Sequence, residues 1–218
     1  MMQTLPHRAL VLAMLLGLGG CSVLRPAAAP GPVVYTLNAA SPRAAAAGRP
    51  AVSAPVLLVQ PTRAAAGFDS PRILYRRETH RLDAFAYSEW AEPPARMLAP
   101  LLLDALERTG AFRAVVVSTG AATADYRLDT ELVQLLQDFS TTPSRVVLRL
   151  RATVVQESTR RVHAVRPFDI TLDAPSDDPA GGVAAANQAV ARLVRDVAVF
   201  CAEAIRTPPV PTPPRLSP

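Results

Sequence analysis

Residues 146–155 read VVLRLRATVV, an alternation that predicts a β-strand with one buried face and one solvated face. The buried face would carry the apolar members of this run, which are Val146, Leu148, Leu150, Ala152 and Val154. The opposite face would carry Arg149, Arg151 and Thr153. Segments 112–117, 126–136 and 162–172 also predict strands, with a turn at 157–160 and with Val162, Ala164 and Phe168 on one face of the last strand. We therefore predict a meander of three or four strands.

Two helices are predicted beside these strands. Pro93 and Pro94 suit a first helical turn, apolar residues follow at helical spacing, and Gly110 is the predicted C-cap. Pro100 breaks one backbone hydrogen bond, which predicts a kink or a late start. The second helix begins with Asp177 or Asp178 as N-cap and continues to about residue 206.

Shorter apolar segments complete the predicted sheet. Residues 33–37 predict a first strand, and residues 55–61 predict a buried central strand bounded by prolines. Residues 72–76 and 82–87 predict a small hairpin. The sequence thus predicts an α+β fold, in which two main helices pack on an antiparallel-rich β-sheet within a single domain.

The N-terminus predicts export and a lipid anchor. A short polar start precedes an apolar run at 9–18, which is about half of the roughly 20 residues that span a bilayer. Leu18-Gly19-Gly20-Cys21 resembles the bacterial lipobox, which implies cleavage before Cys21 and attachment of acyl chains such as palmitate to it. The alternative is an ordinary signal peptide cleaved near residues 27–29. Ser22, where lipoproteins retained at the inner membrane carry Asp, implies by the same resemblance the periplasmic face of the outer membrane.

These signals divide the chain into four parts. Residues 1–20 are the predicted signal peptide, and residues 21–32 are a lipidated flexible linker rich in Ala and Pro. Residues 33–206 form the folded domain, and the Pro-rich residues 207–218 form a disordered tail.

Composition excludes several classes of function. The 23 basic and 18 acidic residues give a net charge of +5, and every basic residue is arginine. Aromatic residues make up only 5% of the chain, too few for a nucleic-acid stacking platform, and export also argues against nucleic acid as a partner. Two cysteines cannot build a disulfide framework or a four-cysteine zinc site.

Catalytic motifs are not found in the sequence. The mature chain offers only His80 and His163 as imidazole bases, and both are interpreted as surface residues, with His163 on an exposed strand position. The Gly181-Gly182 pair has no accompanying lysine, and the acidic pair before it is explained by helix capping. Cys201 is expected to be a buried, inert thiol. We expect no catalytic residue, no metal and no cofactor.

A candidate interface precedes the first helix, in a region rich in arginine and aromatic residues. Arg72, Arg76, Arg77 and Arg81 form a basic cluster that faces anionic lipid or an acidic partner, or else is a solvated surface balanced by nearby carboxylates. Tyr75, Phe85, Tyr87 and Trp90 lie within the same region, where Phe85 and Trp90 fit the core better than an interface. The candidate contact residues are Tyr75, Arg76, Arg77, Tyr87 and Trp90.

The order of these segments resembles the ABC-type transport auxiliary lipoproteins, the family that includes PqiC-like proteins. The resemblance rests on Cys21, Tyr35-Thr36-Leu37, Ile73-Leu74-Tyr75-Arg76-Arg77, Tyr87-Ser88-Glu89-Trp90 and Asp125-Tyr126-Arg127-Leu128, in this order. It implies an outer-membrane lipoprotein without enzymatic activity that accompanies an ABC transporter and its MCE-domain protein in lipid transport. It also implies that the region around Tyr75 and Trp90 lies near surfaces used for docking or self-assembly.

We therefore expect a lipid-anchored domain that docks a periplasmic MCE assembly to the outer membrane, and that forms a homo-oligomer because a ring suits a symmetric tube. The first alternative is a lipoprotein that activates or helps assemble another envelope enzyme or outer-membrane protein. The others are an exported hydrolase using Ser88 or Ser118 with His163, and a direct lipid carrier.

Overall fold

A computed structural model describes residues 31–39, 50–117 and 123–206 of the chain. The predictions made for Cys21, the signal peptide, Ser118 and the Pro-rich tail fall outside these residues. The described strands are β1 (Val33–Tyr35), β2 (Val56–Val59), β3 (Arg63–Ala64), β4 (Arg72–Arg76), β5 (Asp83–Trp90), β6 (Ala114–Val117), β7 (Tyr126–Asp138), β8 (Arg145–Gln156) and β9 (Arg161–Asp173). The described helices are α1 (Pro94–Glu107) and α2 (Pro179–Ala204). The predicted α+β class is confirmed.

The long strands β7, β8 and β9 form the antiparallel meander that the alternation predicts. Leu148 and Leu150 of β8 are at most 1% exposed. Arg149, which lies between them, and Arg151, which follows Leu150, are exposed. The solvated face carries ion pairs across the strands, such as Arg149 Nε to Asp169 Oδ1 at 2.6 Å. The two faces of this part of the sheet are therefore distinct, one apolar and one charged.

Strand β7 is the centre of the sheet because it has neighbours along both sides. β8 follows it on one side, while β2, β3 and β4 pair with it in parallel, one after another, on the other side. The sheet is therefore mixed, with long antiparallel pairs and short parallel ones. β2 lies between β7 and β6 with Leu57 and Val59 at most 1% exposed, as predicted for the central strand.

The predicted meander is confirmed with three strands, and β6 does not belong to it. β6 pairs in parallel with β2, and Ala114 lies opposite Val56. A parallel neighbour requires a long crossover connection, which the chain makes through β3, β4, β5 and α1. The apolar pattern of 112–117 shows that the segment is a strand but does not specify its neighbour.

The predicted hairpin is formed by β4 and β5, which pair antiparallel with a bulge between Arg72 and Leu74. β1 adds to the outer edge of β5 in parallel, with Val33 opposite Ser88 and Tyr35 opposite Trp90. Only the second half of β5 is covered by β1. The hairpin is thus held to the rest of the sheet through β4, whose last residues pair with the end of β7.

Helix α1 begins at Pro94 and continues through Pro100, so the predicted late start does not occur. Its C-cap is Arg108, and Gly110 lies two residues further on with φ of 63°. The prediction that Gly110 caps the helix is therefore corrected. The Thr109 hydroxyl ends the helix instead by donating a hydrogen bond of 2.7 Å to the carbonyl oxygen of Leu106.

Helix α2 begins with the predicted cap. The Asp178 carboxylate accepts a hydrogen bond of 2.7 Å from the Gly181 N–H, and Asp177 accepts one of 2.7 Å from the Ser144 N–H just before β8. The two glycines allow close packing, because a Cβ at Gly181 would overlap the Ser176 backbone and one at Gly182 would overlap the Gln137 amide. The helix packs on β8, β9 and α1.

A β-bulge in β9 changes the face on which its first residues lie. Phe168 and Ile170 are buried as predicted, but Val162 is 60% exposed because the register shifts opposite Val154 and Val155. The shift turns His163 inward, where its Nε2 donates a hydrogen bond of 2.8 Å to the Ala204 carbonyl oxygen at the end of α2. The interpretation of His163 as an exposed strand residue is therefore wrong.

Of the helices that can be described, neither has the length and apolar character needed to cross a membrane.

Candidate functional site

Three half-buried aromatic side chains meet where β4 and β7 end side by side. Tyr75 of β4 lies opposite Gln137 of β7, and this pairing brings Phe139, directly after β7, against the hairpin. The ring centroids of Tyr75 and Phe85 are 4.6 Å apart, and those of Tyr75 and Phe139 are 5.8 Å apart. Aromatic pairs of this kind contribute about 0.5–1.5 kcal/mol beyond their buried area. The rings therefore hold the hairpin to the end of the central strand.

Two neighbouring arginines at this place have different partners. Arg76 forms an ion pair with Asp138. Burial acts to raise the pKa of Asp138, but the hydrogen bonds from Arg76 and from the Ser140 N–H outweigh it and leave that pKa lowered. The exposed Arg77 instead lies over two rings, with its guanidinium carbon 5.4 Å from the Tyr75 centroid and 5.0 Å from that of Phe139.

The other two candidate contact residues lie in opposite environments. Trp90 is 4% exposed and belongs to the hydrophobic core. Tyr87 is 67% exposed on the same strand as Phe85. We use the name hairpin surface for the residues that form the continuous, accessible part of this region: Tyr75, Arg77, Phe85, Tyr87 and Phe139.

A groove of about 360 Å³ runs beside the hairpin surface. Pro32, Phe85 and Glu89 are among its lining residues. On the edge strand β1, Val33 and Val34 are 55% and 56% exposed. The first residues of the described chain thus lie beside the same aromatic residues, and several apolar side chains at this edge are open to contact.

The structure does not bring together Ser88 and His163, the two hydrolase candidates that lie within the described residues. Ser88 is 8% exposed in β5, and His163 is in β9, with β4, β7 and β8 between these two strands. His80 is an exposed residue in the hairpin turn with φ of 68°. Within the three described ranges, no group of three or more His, Cys, Asp or Glu side chains is placed to hold a metal ion.

Cys201 is fully buried in α2, which confirms the expectation of a buried thiol. Desolvation by burial raises the pKa of Cys201 to about 12. Because the thiolate is the reactive form, this thiol is inert at neutral pH.

Sequence analysis does not identify Asp138 and Phe139, which complete the candidate site. They lie far along the chain from the hairpin and reach it only because β4 pairs with the last residues of β7. The sequence offers one indication of them, namely that an acidic and an aromatic residue stand at the end of a long predicted strand. That signal does not specify which other strand ends nearby.

Comparison with known proteins agrees with the fold. The family model described as "ABC-type transport auxiliary lipoprotein component" matches residues 35–198. A comparison with curated proteins finds no match. A crystal structure of a Xanthomonas campestris protein of family DUF330 is similar, with a TM-score of 0.67 and 24% identity, covering 80% of this chain and 97% of that one. A second crystal structure, of an uncharacterized protein, has a TM-score of 0.60 and 16% identity over 79% and 99% of the two chains.

Proposed function

We propose that this chain, which belongs to the ABC-type transport auxiliary lipoprotein family, is a non-enzymatic lipoprotein held at the periplasmic face of the outer membrane by acyl chains on Cys21. There it docks the MCE-domain protein of an ABC transport system that moves lipids between the two membranes. The observation that carries the proposal is the family match over residues 35–198, which spans nearly the whole folded domain. The lipobox before Cys21 supplies the anchor.

The small pocket between the sheet and α2 favours positioning of a partner over carriage of a lipid inside the fold. The pocket between the sheet and α2, lined by Trp90, Gln137 and Gly182, has a volume of about 10 Å³. That volume holds about one water molecule and no acyl chain. The pocket therefore does not serve as a lipid slot, and in the proposed role the lipid passes through the partner.

The anchor gives this role a simple physical basis. One fatty chain binds a bilayer only marginally, whereas two or more give persistent attachment, at about 0.8 kcal/mol per buried CH₂. A persistently anchored domain raises the local concentration of its partner at the membrane without forming or breaking covalent bonds. We also propose that the domain forms a homo-oligomer, because a closed ring of copies matches a symmetric tubular partner.

The test is crosslinking of the tagged full chain in intact cells, followed by mass spectrometry of the partners and of the N-terminal peptide. We expect an acylated Cys21 and an MCE-domain protein among the crosslinked partners. The matched control is Cys21→Ser, which removes the acyl chains and should abolish outer-membrane fractionation. An acylated Cys21 crosslinked to an envelope synthase or porin instead would refute the transport role and favour the assembly-factor alternative. Sedimentation of the detergent-solubilised protein as a monomer would refute the oligomer.

A further inference from the structure

We propose that the hairpin surface rests on the phospholipid bilayer that holds the acyl chains, and that it forms a second, non-covalent membrane contact. The proposal rests on the anchor at Cys21 put forward above. It assigns one partner to the candidate interface, namely the headgroup and upper acyl region of a phospholipid bilayer. Three features of the described residues support it: where the chain enters the fold, how short the tether is, and the chemistry of the exposed side chains.

The chain enters the fold beside the hairpin surface. β1 runs parallel to β5, and Val33 lies opposite Ser88. Pro32, directly before Val33, therefore lies toward the side on which β5 begins, which is the tip of the hairpin. Pro32 confirms this direction, because it lines the same groove as Phe85.

The tether is short compared with the domain. Pro32 follows Cys21 by eleven positions, and a chain of eleven residues reaches at most about 40 Å when fully extended. β7, with 13 residues, is about 43 Å long. The register places Val33 near the hairpin end of β7, because Ser88 lies beside the Arg72 end of β4, whose Tyr75 lies opposite Gln137. With the hairpin end toward the bilayer, the tether spans the shorter distance, and this is the orientation that we assign.

The exposed side chains match the interface of a bilayer. Tyr87 is 67% exposed, and Leu82, directly before β5, is 43% exposed, so both can enter the headgroup region. Arg77 lies over the rings of Tyr75 and Phe139, and the salt bridges among the described residues give it no carboxylate. A guanidinium held over aromatic rings is available to bind phosphate oxygens.

The test uses the acylated full chain in vesicles of phosphatidylethanolamine and phosphatidylglycerol that contain a nitroxide-labelled lipid. A bimane fluorophore is attached through Leu82→Cys in one variant and through Thr159→Cys in the other. Thr159 is exposed in the turn between β8 and β9, at the opposite end of β7. The buried Cys201 does not label, and acylation leaves no free thiol at Cys21.

We expect the nitroxide to quench the fluorophore at position 82 at least threefold more than the one at position 159. Arg77→Glu should reduce quenching at position 82, whereas Arg195→Glu on the exposed face of α2 should not. Equal quenching at both positions overturns the proposal. The proposal is also overturned if the nitroxide does not quench the fluorophore at position 82 and its emission changes with protein density instead, because a second copy of the chain would then cover this surface.

The assay separates this inference from the proposed function. The mass of the N-terminal peptide reports acylation directly, and no transport component is present in the vesicles. An acylated chain with equal quenching at both positions refutes the membrane contact but leaves the docking role intact. A chain without acylation refutes the anchor, on which both depend.

Discussion

The apolar face of β8 allows a sharp test of the fold through two adjacent residues. Leu150 is 1% exposed on the face of β8 that packs against α2, and Leu150→Ala removes three carbon atoms from this site. At about 0.8 kcal/mol per methylene the transfer term alone is about 2.4 kcal/mol. The cavity left in a packed core raises the expected loss to about 3–4 kcal/mol. For a domain of this size that loss corresponds to a fall in Tm of about 10 °C.

Arg149→Ala is the matched control, one residue away on the opposite face. Its ion pair with Asp169 joins side chains that are 55% and 65% exposed, so its loss costs at most about 1 kcal/mol. Both variants are compared by thermal and urea unfolding in the mature chain carrying Cys21→Ser. Similar losses in the two variants would refute the assignment of faces along β8, and with it the position of the helices on the sheet.

Three further outcomes follow from the described contacts. Alkylation of Cys201 in the folded chain at pH 8 should be at least about 1000-fold slower than in urea, because burial raises its pKa to about 12; rates within tenfold of each other would contradict this. The Gly181 N–H lowers the pKa of Asp178, so the stability that this carboxylate contributes is complete above about pH 4 and is lost as the pH falls further. Asp178→Asn keeps an acceptor oxygen but does not titrate, so its Tm should fall less on acidification, and identical acid profiles would refute this. Gly181→Ala should lower Tm more than Ala184→Gly at an exposed position of α2, because the new Cβ would meet the Ser176 backbone; a higher Tm for Gly181→Ala would refute the close approach.

Local sequence patterns predict the elements of this fold well but predict their neighbours poorly. The alternation in 146–155 and the Asp-Pro start of α2 each depend on residues close in sequence, and both are confirmed. The parallel pairing of β6 with β2 depends on a crossover of more than fifty residues, which no local pattern encodes. The inward turn of His163 follows from a one-residue bulge that alternation alone cannot locate.

In the candidate site, too, local sequence predicts some features and tertiary pairing determines the others. Clustering of aromatic residues identifies Tyr75, Phe85 and Tyr87, since they lie close together in the sequence. The same clustering also selects Trp90, which the pleat of β5 turns into the core. Phe139 completes the ring cluster only through tertiary pairing. Sequence therefore indicates the region of the surface, and the sheet topology determines which side chains are accessible there.

The N-terminal and C-terminal ends of the described domain lie toward opposite ends of the sheet, which fixes how a molecule anchored as proposed would be oriented. The chain enters at Pro32, beside Phe85 and the end of β7. α2 ends where Ala204 accepts the hydrogen bond from His163, beside the start of β9, and β8 joins that place to the start of β7. In the proposed anchored protein, the lipid tether and the C-terminal tail would therefore attach toward opposite ends of a sheet about 43 Å long. If the hairpin surface rests on the bilayer, the start of β7 points into the periplasm, and a periplasmic partner meets that end of the domain first.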